Sequence, residues 1–514
     1  MSKRWERADV RLVSETDTTR EPTPVGEETS FIIGVLGDFT RGQGSDSASG
    51  TVSPADRRPL EIDRDNFNTV MERLDVRFEA SLDMSLEQEG EQRSMQLPMR
   101  GIESFHPDEI TKQVEPLQVL VKLRRALEDP KKFDAAAAEM QKWMKAPDAV
   151  TTQPQSNTPS NLLETILEEA SPSAASQTRK NPLGDIERLV QEIVSPHAIR
   201  LDVTQQQQLI AAVEKVLGEQ MRAILHHGEF QRLEAAWRAL HFLVMTAETG
   251  PQLKIYLLDI SKAELENDLA KSREIEESGV FRSLSSLTVG TRDQALGALI
   301  GNYDFGISLQ DVHMLDRIAL LAHNLRAPFI AGASPRFFDI DAFADFPTGK
   351  ALARLFEDEQ YVTWRKFRKS PQARSVGLLL PRFLLRVPYG AETDPIGSFS
   401  FEEGVRGKDH DKYMWGNPAF AFAVILAREF TGSGWSLNPA RLVGQLDGIP
   451  LHIYEDGGVA QAKPCAEALL SDEVIEALAH EGFMPLICHR DRDFFMIPRA
   501  QSVASPPAVL AGHW

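Results

Sequence analysis

Strand-like and helix-like runs alternate between residues 253 and 333, and this pattern restricts the fold more than any other feature of the sequence. Strands are predicted at 253–260 (LKIYLLDI), 295–305 (ALGALIGNYDF) and 327–332 (APFIAG). The runs SKAELENDLAKS and DVHMLDRIALLAHNL between them have helical periodicity. Because this order is typical of βαβ units, the sequence predicts an α/β fold with a mostly parallel, buried sheet.

A flexible linker is predicted at 146–182, where two stretches rich in Pro, Ser, Thr and Gln flank one short amphipathic helix at 161–170. The apolar positions of this helix have helical spacing; they are Leu162, Leu163, Ile166 and Leu167. Two interpretations are equally open. The helix docks on its own domain, or it is a linear motif that a partner's groove binds.

The linker separates a small α/β unit at 29–145 from a larger unit at 183–505, and short tails at 1–28 and 506–514 complete the chain. In the small unit we predict a strand at 31–39, a strand leading into a helix at 60–74, and a helix that begins at Ser104 or His106. The apolar positions of that helix include Ile110, Val114, Leu117, Leu120 and Leu127.

The larger unit opens with a capping-box signature, Thr204-x-x-Gln207, followed by two amphipathic helices. Its further strand candidates are SVGLLLPRFLLRVP, GIPLHIYE, GFMPLICH and FFMIP.

Charge and composition exclude several classes of protein. The net charge of −19 argues against binding to nucleic acid or an anionic membrane along the whole chain. Two cysteines cannot form a disulfide framework and suit a reducing compartment. The charged N-terminus lacks the apolar core of a secretory signal, and the longest apolar run, at 418–427, is about half of the ~20 residues that span a bilayer. We therefore expect a cytoplasmic protein without membrane insertion.

Catalytic signatures such as a phosphate loop, H-E-x-x-H, C-x-x-C or G-x-S-x-G are absent from the sequence, so we expect no enzyme activity, metal or cofactor. His226, His227 and His241 are interpreted as capping or core residues and not as metal ligands. Cys465 and Cys488 are far apart in sequence, which argues against a thiol pair and favours burial as small apolar groups.

One stretch, 361–391, is basic without a single acidic residue and is interleaved with aromatic residues. Its cations are Arg365, Lys366, Arg368, Lys369, Arg374, Arg382 and Arg386. On an acidic chain such a patch favours self-assembly against an acidic surface of a neighbouring copy. A nucleic-acid surface is the less favoured alternative.

Several motifs resemble the contractile sheath of type VI secretion systems. FIIGVLGDF, LEIDRDNFNTVM and SFHPDEITKQVEPLQVLVKLRRALED are similar to the small subunit (TssB, or VipA). ILHHGEFQRLEAAWRALHFLV, LIGNYDF, APFIAGASPRFFDIDAF, LLLPRFLLRVPYG, DKYMWGNPAFAFA and EGFMPLICH are similar to the large subunit (TssC, or VipB). The resemblance covers about 29–145 and 161–505, as in a fusion of the two subunits.

The resemblance implies a structural role in a helical sheath around an inner tube, with strands exchanged between neighbours and contraction driving export. Implied partners are other sheath subunits or copies of the chain, the inner tube protein, and baseplate or cap proteins. A ClpV-type AAA+ unfoldase would bind the helix of Leu162, Leu163, Ile166 and Leu167. The helix carrying Val114, Leu117, Leu120 and Leu127 would form the contact between the small and large subunits.

The sequence also departs from the family pattern. A large subunit of this family continues well beyond the motif Ala500-Gln501-Ser502-Val503, whereas this sequence reaches Trp514. We therefore expect the C-terminal strands that take part in strand exchange to be missing. An alternative role is a cap, terminator or connector at a sheath end.

Overall fold

The computed structural model describes residues 26, 28–40, 53–82, 93–145, 205–289 and 293–514. We call the described residues up to 145 the N-terminal segment and those from 205 onward the C-terminal segment. The N-terminal segment contains β1 (Ser30–Gly37), β2 (Leu60–Ile62), α1 (Phe67–Arg73), β3 (Arg77–Leu82), β4 (Arg93–Pro98), α2 (Pro107–Gln113), α3 (Glu115–Glu128) and α4 (Phe133–Lys145).

The C-terminal segment begins with α5 (Gln205–Leu225), α6 (Gly228–Thr246), β5 (Leu253–Asp259), α7 (Lys262–Lys271), α8 (Gly279–Ser285), β6 (Gln294–Phe305), α9 (Leu309–Leu325) and β7 (Phe329–Ala333). It continues with α10 (Gly349–Leu355), α11 (Val362–Arg368), β8 (Val376–Leu380), β9 (Phe383–Arg386), β10 (Met414–Gly416) and α12 (Pro418–Ser433). It ends with β11 (Gly444–Leu446), β12 (His452–Asp456), β13 (Val459–Lys463), α13 (Asp472–His480), β14 (Phe483–Pro485), β15 (Ile487–Cys488) and β16 (Phe495–Ile497).

Seven strands form the main sheet in the order β14-β8-β7-β6-β1-β5-β2. All neighbouring pairs are parallel except β2 with β5. The α/β class with a mostly parallel sheet is therefore confirmed. The strands that the sequence predicts at 31–39, 253–260, 295–305 and 327–332 correspond to β1, β5, β6 and β7.

The strand β1 comes from the N-terminal segment but lies between β5 and β6 of the C-terminal segment. All eight of its residues are buried, as a central strand of a parallel sheet requires. The linker predicted at 146–182 thus does not separate two cores, because the two segments share one sheet.

Helices cover both faces of this sheet, and the alternation of side chains along β1 shows the two layers. Phe31, Ile33 and Val35 belong to a core cluster that includes residues of α3, α5, α6 and α12. Ile32 and Leu36 face the opposite cluster, which includes residues of α7, α8 and α9. The fold is a three-layer arrangement of helices, sheet and helices.

Proline accounts for two places where the structure divides a predicted element. The helix expected from Ser104 or His106 becomes two helices, because Pro116 cannot continue α2 and Val114 adopts extended angles between α2 and α3. His106 is the residue that caps α2, accepting a hydrogen bond from the Asp108 N–H. The predicted strand SVGLLLPRFLLRVP is likewise interrupted at Pro381 and forms β8 and β9.

Strands β12 and β13 form a two-stranded antiparallel ribbon of their own. The turn between them consists of Gly457 and Gly458, with φ values of 59° and 82°. Positive φ at both central residues is the requirement of a type I′ turn, and glycine meets it without strain. Apart from the base of the ribbon, most of its side chains are exposed.

Candidate functional site: the junction of the two segments

The main chain of β1 pairs with the C-terminal segment on both edges. Phe31 lies opposite Leu253 of β5, and Ile33 lies opposite Ala298 of β6. Gly297 is skipped in the register with β6, and a Cβ atom there would lie 2.0 Å from the ring of Phe31. Only glycine leaves room for that ring, so the local sequence of β6 is fitted to a side chain of the N-terminal segment.

The helix predicted to contact the large subunit packs against α5 of the C-terminal segment. Its predicted contact residues are all buried; they are Val114, which caps the helix, and Leu117, Leu120 and Leu127 in α3. They share a core cluster with Val213 and Leu217 of α5. At the edge of this contact the Arg124 Nε atom donates to Glu214 Oε1 at 2.6 Å. Burying each leucine contributes about 1.5–3 kcal/mol.

A polar contact lies where β1 and β5 end. The Asp259 carboxylate accepts hydrogen bonds from the Phe39 N–H at 2.7 Å and from the Thr40 hydroxyl at 2.6 Å. Burial raises the pKa of Asp259 above its ordinary value, which these hydrogen bonds only partly oppose. Arg57 donates to the Asp259 carbonyl oxygen at 2.8 Å and pairs with Glu264. Charged groups from both segments are thus neutralised at one end of the sheet.

Trp237 of α6 is a contact residue that the sequence analysis does not single out. Its indole N–H donates to the Phe39 carbonyl oxygen at 2.9 Å, and its ring meets Phe39 and Phe67 edge to face. Because a buried indole needs one acceptor, this hydrogen bond fixes where β1 ends relative to α6.

Another contact between the segments is centred on Asp108 of α2. Its carboxylate accepts hydrogen bonds from the main-chain N–H groups of Gly397 and Ser398, each at 2.9 Å. Burial acts to raise the pKa of Asp108, but the hydrogen bonds from Ser398 and Gly397 outweigh it and lower the pKa.

The structure divides the seven cations of 361–391 into two groups. Arg386 is buried between two carboxylates, with 2.8 Å from Nε to Glu234 and 2.8 Å from Nη1 to Glu403. Arg382 forms two 2.7 Å hydrogen bonds with Glu467, and Arg368 is buried against Glu481.

These three arginines hold the interior of the chain together and are not a free surface charge. Burial acts to raise the pKa of Glu403, but Arg386 outweighs it and lowers the pKa to about 2. Lys366, Lys369 and Arg374 are exposed, and Arg365 is half-buried. The prediction of a basic assembly patch therefore rests on those four residues alone.

His227 is a capping residue and His241 packs against the core, as expected, whereas His226 lies beside a buried carboxylate. His227 accepts a hydrogen bond from the Glu229 N–H at the start of α6, and His241 meets the ring of Phe67 edge to face. His226 lies 3.1 Å from Glu403. No group of three potential ligands is found within the described residues.

Cys465 and Cys488 are free and buried, as the sequence predicts, but they are neighbours in the fold despite their distance in the sequence. The Cys465 thiol donates to the Phe494 carbonyl oxygen at 3.2 Å, and Cys488 lies opposite Phe495 in the β15–β16 pair. A hydrogen bond to Cys488, together with burial, raises the pKa of Cys465. Sequence separation gave no sign of this, because strand pairing brings the two thiols together.

The proposed unfoldase helix with Leu162, Leu163, Ile166 and Leu167 lies outside the described residues. Among the helices that are described, none is both long enough and apolar enough to cross a bilayer.

The geometry defines an α/β structural unit whose main sheet is built from two parts of the chain, and comparisons with known proteins identify those parts. Residues 207–504 match the VipB family, described as the tail sheath N-terminal domain. Residues 2–152 match the family described as type VI secretion system, VipA. The chain belongs to the type VI secretion sheath family and joins a small-subunit part to a large-subunit part.

A curated relative is the type VI secretion system sheath protein TssC1 of Pseudomonas aeruginosa (strain PAO1). It is 39% identical over 305 residues, which are 58% of this chain and 61% of the relative. The chain thus spans about three-fifths of the length of that relative.

Proposed function

We propose that this protein is a structural component of a type VI secretion contractile sheath, in which one chain supplies both the small-subunit and the large-subunit parts. The observation that carries the proposal is the position of β1 between β5 and β6. A strand that is buried on both faces and paired on both edges is an integral part of the sheet. The two parts therefore act as one protomer, which assembles with copies of itself or with other sheath subunits.

Joining the two parts in one chain turns their association into an intramolecular step. The effective concentration of one part near the other is then set by the linker and not by expression level. We infer that copies of this protomer surround an inner tube in the cytoplasm and that contraction of the resulting sheath drives export.

Electron microscopy of sheaths from cells that produce the full-length chain with the other components of its secretion system tests the proposal. We expect a gold or fluorescent label on the chain along the whole sheath. A label confined to sheath ends would support the cap or connector alternative instead. Absence from the sheath and from both of its ends would contradict the proposal.

The recycling unfoldase is a further proposed partner, through the helix at 161–170. Its motivation is the apolar set of Leu162, Leu163, Ile166 and Leu167 in a polar linker. We expect Leu163→Asp combined with Ile166→Asp to abolish binding of a ClpV-type ATPase in a pull-down and to leave the thermal melting of the chain unchanged. Asn161→Asp combined with Thr165→Asp, which adds the same two negative charges on the other face of the predicted helix, is the control. Binding that survives the double substitution would refute this partner.

A further inference from the structure

The ribbon of β12 and β13 has a defined hydrogen-bonding pattern. A two-residue turn with positive φ at Gly457 and Gly458 closes a hydrogen-bonded pair, here Asp456 with Val459. From that pair onward, hydrogen-bonded and non-hydrogen-bonded pairs alternate along an antiparallel ladder. Because of this alternation, every second residue of each strand directs its main-chain N–H and C=O groups away from the other strand.

The outward-directed residues are Ile453 and Glu455 on β12, and Ala460 and Ala462 on β13. In the part of the chain that the structure describes, no other strand pairs with either edge and no main-chain hydrogen bond reaches these four residues. Both edges of the ribbon thus have main-chain groups with which another strand can pair.

The surroundings of the ribbon are more apolar than a surface hairpin requires. Ile453 is 62% exposed, Val459 is 58% exposed, and Leu469 beside the ribbon is 43% exposed. A groove of about 550 Å³ adjoins β13, and its lining includes Ala462, Leu469 and the ring of Phe346. Exposed apolar side chains on and beside an unpaired strand edge are typical of a contact surface.

We propose that β12 of one copy of this chain pairs antiparallel with the free edge of β13 of the next copy. This inference rests on the proposed sheath function and names the contact by which protomers join. If the register within the ribbon is repeated between copies, Ile453 of the next copy lies beside Ala462. The small side chains of Ala460 and Ala462 leave room for the incoming strand.

Charge favours this head-to-tail pairing over pairing of like edges. The β12 strand carries Glu455 and Asp456, whereas β13 has no acidic residue and ends in Lys463. Arg490 also lines the groove beside β13. Two β12 edges would place acidic side chains close to each other, which is destabilising, and the β12–β13 pairing avoids this.

The pairing uses two different edges, so each added copy presents a free edge for another. Such a heterologous contact generates a helical filament when it does not close into a ring. It differs from strand exchange because no strand leaves its own fold.

Proline substitutions at the outward positions test the proposal in the full-length chain. Ala462→Pro removes an N–H from the β13 edge and Glu455→Pro removes one from the β12 edge, and neither N–H belongs to the ladder within the ribbon. We expect each substitution to lower the fraction of the chain in isolated sheaths by at least about tenfold, and thermal melting to stay unchanged. Ala462→Val, which keeps the N–H, is the matched control and should assemble normally.

Mixing the two proline variants gives a second test. Ala462→Pro retains a free β12 edge and Glu455→Pro retains a free β13 edge, so together they should form one-to-one dimers that do not extend. Light scattering after size-exclusion chromatography measures this. Proline variants that assemble like the wild type would overturn the inference and leave the sheath function standing. A wild-type chain that is absent from sheaths would overturn the sheath function itself.

Discussion

The central strand β1 and the ribbon of β12 and β13 differ in how the main-chain N–H and C=O groups at their edges are paired. Every residue of β1 is buried and pairs within the chain on both edges. The ribbon is exposed, and its outer edges pair with nothing in the described part of the chain. The difference separates two kinds of contact. The junction between the subunit parts is completed inside the protomer, and the ribbon remains for contacts between protomers.

Acid should have the largest effect, because it protonates the carboxylates of the buried ion pairs and so lowers the stability of the interior. In the folded protein the pKa values of Glu403 and Glu467 are both lowered to about 2; burial acts to raise them, but Arg386 and Arg382 outweigh it. Groups with a lowered pKa contribute stability above their unfolded value of about 4.3, and this contribution is lost as the pH falls toward 2. We expect the free energy of unfolding to fall between those pH values.

Urea unfolding at a series of pH values measures this loss. Glu403→Gln should reduce the pH dependence in that range, because it removes one of the two carboxylates whose pKa is lowered to about 2. An unchanged slope in this variant would contradict the assignment.

Removing the buried guanidinium of Arg386 should have the next largest effect on the free energy of unfolding. Arg386→Leu removes the cation that the buried carboxylates of Glu234 and Glu403 share, and such a loss costs about 3–5 kcal/mol. Arg374→Leu removes a cation from the same stretch at an exposed position and should change stability by less than about 0.5 kcal/mol. Equal effects in urea unfolding would mean that the two cations have the same environment.

A substitution that leaves a cavity between α3 and α5 should weaken the contact between these helices. Leu120→Ala removes a fully buried side chain and should lower the free energy of unfolding by about 2–4 kcal/mol. Arg125 of the same helix is exposed, and Arg125→Ala is the control for helix propensity. A loss below about 0.5 kcal/mol for Leu120→Ala would contradict the described packing.

Gly297→Ala should disturb the fit between β6 and β1 by about 1–3 kcal/mol, because the added methyl group meets the ring of Phe31. Phe31→Ala removes that ring, so the two substitutions should be strongly non-additive in a double-mutant cycle. Additive free energies would show that the ring does not lie against this glycine.

The smallest effect on stability should come from the ribbon. Ala460→Glu places an acidic side chain on the exposed edge of β13, opposite Glu455 of the paired strand, and should change the free energy of unfolding by less than about 1 kcal/mol. Sheath incorporation should nevertheless fall, as sedimentation of the full-length variant would show. A large loss of stability would mean that this edge is covered within the protomer.

Local patterns predicted the elements well, because the strands of the main sheet are continuous apolar runs and α5 carries a clear apolar stripe. The position of β1 could not be predicted from local patterns, since nothing near residues 30–37 indicates which distant strands it pairs with. The role of Arg386 was missed for the same reason. Its partners Glu234 and Glu403 lie in other parts of the sequence, so a basic stretch looked like a surface.

The central place of β1 also sets an order of events during synthesis. Its eight residues, all buried in the folded protein, leave the ribosome early, but the two strands that pair with its edges are complete only at residues 259 and 305. At about 5–20 residues per second, the wait for β6 is roughly 13–54 seconds. Until residue 259 is made this apolar segment has no native partner on either edge, and until residue 305 is made one edge stays unpaired. Fusion therefore guarantees equal amounts of the two parts, but it makes the nascent chain dependent on protection from aggregation until its C-terminal half is made.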